Sequence, residues 1–69
     1  MSYILLFDLP RFRKNVVVKV NRKLHGIGAK KLQHSVWESK DLSSLKEIAD
    51  LIKNSGGDAF IIKKLIAYR

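Results

Sequence analysis

Asp8 stands apart among the acidic residues of the chain: no other Asp or Glu precedes Glu38, and it ends the apolar run that begins at Tyr3, two residues before Pro10. A carboxylate at the carboxyl end of a strand can hold a hard cation such as Mg2+ or Mn2+, with water and phosphate oxygens completing its shell. A cation so held activates water and neutralises phosphate charge. The competing role is structural, since an Asp before Leu-Pro accepts backbone N–H groups in a turn or pairs with Arg11 or Arg13. One carboxylate is a poor metal site, and no second acid lies nearby in sequence. A two-fold dimer would repair that by bringing two copies of Asp8 together, which couples oligomeric state to chemistry. Arg11, Arg13 and Lys14 follow at once and could hold phosphates, with Arg13 the added clamp beside Asp8.

The remaining chemistry-bearing residues are sparser. His25 and His34 lack the spacing of a metal pair, so His25 reads as a helix-end cap and His34 as strand packing or surface. Ser35 and Ser39 have no base nearby in sequence. Phe12, flanked by two arginines, could stack on a base, whereas Trp37 is the more natural core residue. Gly26-Ile27-Gly28 precedes a strand and lacks a third glycine, so it is no dinucleotide fingerprint. With no cysteine in the chain, disulfides, thiolate metal sites and thiol nucleophiles are excluded together.

Charge adds a partner class. The 69 residues carry 14 Lys and Arg against 6 Asp and Glu, and the excess is concentrated. Arg11, Arg13, Lys14, Lys19, Arg22, Lys23, Lys30 and Lys31 occur without an acid among them, whereas residues 41–69 are nearly balanced. A one-sign field on part of a small domain attracts polyanions, so nucleic acid leads as the partner, with these residues and Phe12 as its contacts. An anionic membrane surface comes second, and simple solubilisation is the plainest alternative. No apolar run approaches the ~18 residues of a membrane span, and nothing at the N-terminus reads as a cleaved leader. The expectation is a soluble cytoplasmic protein.

These residues must be positioned by a single domain over 1–69, divided by Pro10, Gly26/Gly28 and Gly56-Gly57. Ser2 to Leu9 suits a central strand, with Tyr3, Leu5 and Phe7 on one face and Ile4, Leu6 and Asp8 on the other. Residues 14–25 predict a helix whose apolar stripe holds Val16, Val17, Val20, Leu24 and Ile27, with Val18 misplaced and Gly26 at the stop. Leu32 to Trp37 predicts a strand core with a bend or bulge near Ser35. Ser44 and Glu47 read as a capping box ahead of the stripe Leu45, Ile48, Ala49, Ile52, with Gly56-Gly57 as the stop. Ala59 to Tyr68 predicts the last strand. This order fits an α+β, ferredoxin-like split βαβ sandwich (βαββαβ), provided residues 30–42 yield two strands, one very short. Both helices would cover one face of the antiparallel sheet, leaving the other for a partner chain.

Two segments carry a resemblance. Ile4-Leu5-Leu6-Phe7-Asp8-Leu9-Pro10 with Arg11 and Arg13, and Leu32-Gln33-His34-Ser35-Val36-Trp37-Glu38, resemble the CRISPR-associated protein 2 family, in order over roughly residues 3–66. Members of that family are ferredoxin-like homodimers of the spacer-adaptation machinery, described both as metal-dependent nucleases and as non-catalytic DNA-holding scaffolds. The resemblance implies Asp8 as metal ligand and catalytic residue, Arg13 as a basic, phosphate-facing residue of the catalytic site, and Ser35 with Trp37 as the family's Ser and aromatic. It implies RNA or DNA as partner, Mg2+ or Mn2+ as cofactor, and the CRISPR integrase as a further partner. Phe7 and Trp37 replace the family's usual Tyr and Phe, and the chain ends soon after its last main strand, as expected of a short relative without the segment that packs on the other subunit. A toxin-like ribonuclease family and the C-terminal part of some transcription repressors share a related fold, and a ribonuclease of that kind is the other enzymatic alternative.

Overall fold

The computed structural model describes residues 1–10 and 13–64. The order is β1 (Ser2–Asp8), α1 (Lys14–Gly26), β2 (Lys30–Gln33), β3 (Val36–Ser39), α2 (Leu42–Asn54) and β4 (Asp58–Lys64). The four strands form one antiparallel sheet in the order β2-β3-β1-β4. With two helices joining them in βαββαβ order, this is the ferredoxin-like fold.

The faces of β1 divide as alternation requires. Leu5 is opposed by Trp37 on one side and Ile61 on the other, and Phe7 by Ala59. These residues meet Val20 and Leu24 of α1 and Leu45, Ile48, Ala49 and Ile52 of α2 in one core. The other face carries Ile4, Leu6 and Val36, half-buried, with Phe60 67% and Ile62 51% exposed. Neither described helix covers that face, because both lie against the first.

The segment 30–39 yields the two strands that the βαββαβ order requires, joined as a hairpin, so the expected strand core Leu32 to Trp37 is divided. His34 and Ser35 form its turn, Ser35 adopts a left-handed backbone (φ 67°), and the pairing shifts register between Lys31 and Gln33. The irregularity predicted near Ser35 is thus the chain reversal itself, with a register break just before it.

Both helix ends differ from expectation by a few residues. The N-cap of α2 is Asp41, whose carboxylate accepts the Ser44 backbone N–H at 3.0 Å and the Ser44 hydroxyl at 2.7 Å. The cap therefore sits three residues before the predicted Ser44, since a carboxylate is the stronger acceptor for the orphan amides of the first turn. Helix α1 runs through Gly26, and the left-handed residue that ends it is Gly28 (φ 73°). The Gly28 and Ala29 amides fold back onto the His25 and Leu24 carbonyls, each at 3.0 Å. At the end of α2, Gly56 (φ 89°) and Gly57 close the same paired motif on Lys53 and Ile52. The last strand is described to Lys64, and the predicted continuation to Tyr68 lies outside the described residues.

Candidate nucleic-acid interface

Asp8 is the last residue of β1 and is exposed. Its strand neighbour Phe7 donates its backbone N–H to the Ser35 carbonyl at 3.1 Å, which continues the β1–β3 ladder onto the hairpin turn. That bond brings the end of β1 against the turn, and the left-handed Ser35 presents the accepting carbonyl. The result is a cleft of 620 Å³ between the end of β1, the first half of α1 and the β2–β3 hairpin. Asp8, Lys14, Asn21, Lys31, His34 and Ser35 supply its polar lining. Phe7, Leu9, Val17 and Val18 supply its apolar wall.

Several residues singled out by type alone thereby meet. Asp8 shares the cleft with Lys14, close by in sequence, and with Lys31 of the distant β2, and His34, exposed in the hairpin turn, lines it as well, the surface position being one of its two expected roles. Arg13 is exposed directly before α1, where its carbonyl accepts the Val16 and Val17 amides at 3.1 and 3.0 Å. The other basic residues are distributed. Lys19 and Lys23 line a second groove, between α1 and α2, with Ser44 and Glu47. Arg22 is exposed on α1. Lys30 borders a third recess, which includes Glu38 and Lys64. Arg11 and Phe12 lie outside the described residues.

Trp37 is core, as its type suggested, at 1% exposure. His25 stands edge-on to its ring at a centroid distance of 5.0 Å, so this histidine packs on the core aromatic as well as ending α1. The Lys31 ammonium lies 6.0 Å from the Trp37 ring centroid, at the reach of a cation–π contact. Trp37 thus supports a cleft residue from below and is too deeply buried to stack on a base.

One acidic partner escaped the reading by sequence distance. Asp58, first residue of β4, is directly opposite Asp8 in the β1–β4 register. Its signal was available: an antiparallel β4 beginning just after Gly56-Gly57 must start where β1 ends. No group of three or more His, Asp or Glu side chains that could hold a metal occurs among the described residues. A Mg2+ ion commonly takes one or two carboxylates and fills its shell with water and phosphate, so Asp8 with Asp58 fits a substrate-bridged cation better than a protein cage.

At the opposite end of the open sheet face, the Lys64 ammonium bonds both Glu38 carboxylate oxygens, at 3.1 and 3.2 Å. The hydrogen bond from Lys64 is the main reason the Glu38 pKa lies below its ordinary value. The exposed Phe60 and Ile62 therefore lie between an ion pair at one end and two opposed carboxylates at the other.

No described helix is long and apolar enough to cross a membrane. Compared with protein-family models, with curated proteins and with solved structures, the chain gives no significant match in any of the three.

Proposed function

We propose that this protein is a dimeric nucleic-acid-binding protein of the CRISPR-associated protein 2 kind, able to cleave RNA or DNA through a divalent cation at Asp8. The observation that carries this reading is the shared cleft of Asp8, Lys14 and Lys31, which gathers a carboxylate and two ammonium-bearing side chains in one lining. Lysines there attract a phosphodiester, and the carboxylate is the group able to hold Mg2+ or Mn2+ against it. The cation would lower the pKa of a bound water and offset charge on the phosphate, while Arg13 adds a further phosphate contact. The open sheet face with Phe60 and Ile62 supports the homodimer, because apolar residues of that size on a small domain invite a cover.

A non-catalytic scaffold is the second reading. It is favoured by the absence of a three-ligand metal cluster among the described residues and by the spread of lysines over three recesses, which suits holding a backbone more than focusing on one bond.

Labelled RNA and DNA, titrated by fluorescence anisotropy over a salt series and assayed for cleavage with Mg2+, Mn2+ or chelator, separate the two. If six phosphates are neutralised on duplex DNA, the log-log salt slope is about −5, at ~0.9 per phosphate, and reversing Arg22 and Lys23 flattens it. Cleavage that needs the ion and vanishes in Asp8→Asn, with binding kept, supports the nuclease. Tight binding without cleavage under any ion supports the scaffold. Affinity that barely changes with salt removes both.

A further inference from the structure

The cleft at the end of β1 has a wall that a phosphate-only site has no use for. Val18 is 49% exposed and lines this cleft together with Val17 and Leu9, whereas Val16, Val20 and Leu24 of the same helix belong to the core. Opposite chemistry occupies the rim, where Lys14 and Lys31 outnumber the single carboxylate of Asp8. Asn21 adds a side-chain amide that both donates and accepts, the kind of group that reads a base edge. The volume, 620 Å³, falls within the roughly 300–1,000 Å³ of small-ligand sites and suits a flat heterocycle with its sugar and phosphate.

We infer that this cleft holds one unstacked nucleotide, its base against Leu9, Val17 and Val18 and its phosphate at Lys14 and Lys31. The inference rests on the nucleic-acid reading above and adds a strand preference to it. A base inside a duplex is paired and stacked and cannot reach the apolar wall, whereas a single strand turns its bases out freely. Electrostatics alone runs the other way, because duplex DNA has the higher charge density. A preference for single strands therefore reports the apolar wall rather than the lysines.

The unmodified protein, labelled with 15N, is titrated with adenosine 5′-monophosphate and separately with inorganic phosphate at matched ionic strength. The nucleotide is expected to shift the amides of Val17, Val18 and Asn21 and to bind about tenfold more tightly than phosphate, a difference of ~1.4 kcal/mol. Equal affinities with the same shifted amides would overturn the inference. A single-stranded oligonucleotide and its duplex are then compared in the parent and in Val18→Glu, a substitution at an exposed position. The expected result is a single-strand preference in the parent that falls by about tenfold in the variant, as the loss of one apolar base contact requires. A parent without that preference, or a variant losing affinity for both forms by the same factor, overturns the inference while leaving nucleic-acid binding intact. Failure of both forms to bind even at low salt removes the underlying reading instead.

Discussion

Asp8 and Asp58 face each other directly across the β1–β4 ladder, fifty positions apart in the chain and neighbours in the sheet. Like charges directly opposed on neighbouring strands repel, and a divalent cation held between them would relieve that repulsion. Asp58→Asn is expected to raise the melting temperature in chelator, by relief of up to ~1 kcal/mol. Mg2+ at millimolar concentration is expected to raise it in the parent and much less in Asp58→Asn or Asp8→Asn. Differential scanning calorimetry of the three proteins with and without Mg2+ checks this, and an identical Mg2+ response in all three places the ion elsewhere.

The open sheet face is the surface that the proposed dimer would use. Phe60 and Ile62 are the most exposed large apolar side chains of β4, and they flank β1 at Leu6 and Ile4. Sedimentation equilibrium at micromolar concentration is expected to give a dimer for the parent and a monomer for Phe60→Glu. The variant keeps its own fold, because Phe60 contributes nothing to the helix-covered core. A parent that sediments as a folded monomer removes the dimer and with it any site shared by two copies of Asp8.

Gly57 controls the spacing between the start of β4 and the end of β1. A Cβ at this position would collide with the Asp8 carbonyl oxygen and stand 2.9 Å from Ile52 Cγ2 and 3.1 Å from Leu9 Cδ2. The closest obstacle is backbone and cannot rotate away. Gly57→Ala is therefore expected to cost about 1–3 kcal/mol in urea unfolding, as overpacking does, and to displace the Asp8 amide resonance. Gly26→Ala, where a Cβ meets nothing, serves as the control and should leave that resonance in place.

Two carboxylates tie stability to pH. Hydrogen bonds from the Ser44 hydroxyl and amide hold the Asp41 pKa below its ordinary value, and the Lys64 ammonium does the same for Glu38. A depressed folded-state pKa contributes stability that is fully present above the unfolded value, near ~4, and is lost as pH falls through the folded one. Asp41→Asn and Glu38→Gln are each expected to narrow the difference in melting temperature between pH 6 and pH 2.5. Thermal melts followed by circular dichroism read this directly, and an unchanged pH profile in both variants removes these groups as its source.

Much of the architecture follows from residue type and spacing. The alternation of Tyr3, Leu5 and Phe7 with Ile4, Leu6 and Asp8 sorts the two faces of β1, and the stripe Leu45, Ile48, Ala49, Ile52 orients α2. Such periodicity is local: a residue's face depends only on its own element, and burial of the apolar face selects the rest. The stop at Gly56 is local as well, since a left-handed backbone strongly favours glycine, whereas α1 runs past the expected Gly26 and ends at Gly28. Val18, the one apolar residue outside its stripe, already marked a surface that the core does not use.

What the tertiary structure alone decided involves pairs that no local pattern connects. Whether Asp41 or Ser44 caps α2 depends on where the chain leaves β3, and the Asp41 amide bonding Ser39 Oγ at 3.0 Å settles that departure. The turn at His34 and Ser35 divides the segment Leu32 to Trp37 between two strands, because β3 must reverse to pair with β1. Asp8 meets Asp58, and Lys31 meets Lys14, only after the β1–β4 and β2–β3 registers are set. Register is chosen by the joint burial of Leu5, Trp37 and Ala59 beneath two helices. A shift by one residue would turn each of them out to solvent, so it is core packing that determines which distant polar groups become neighbours.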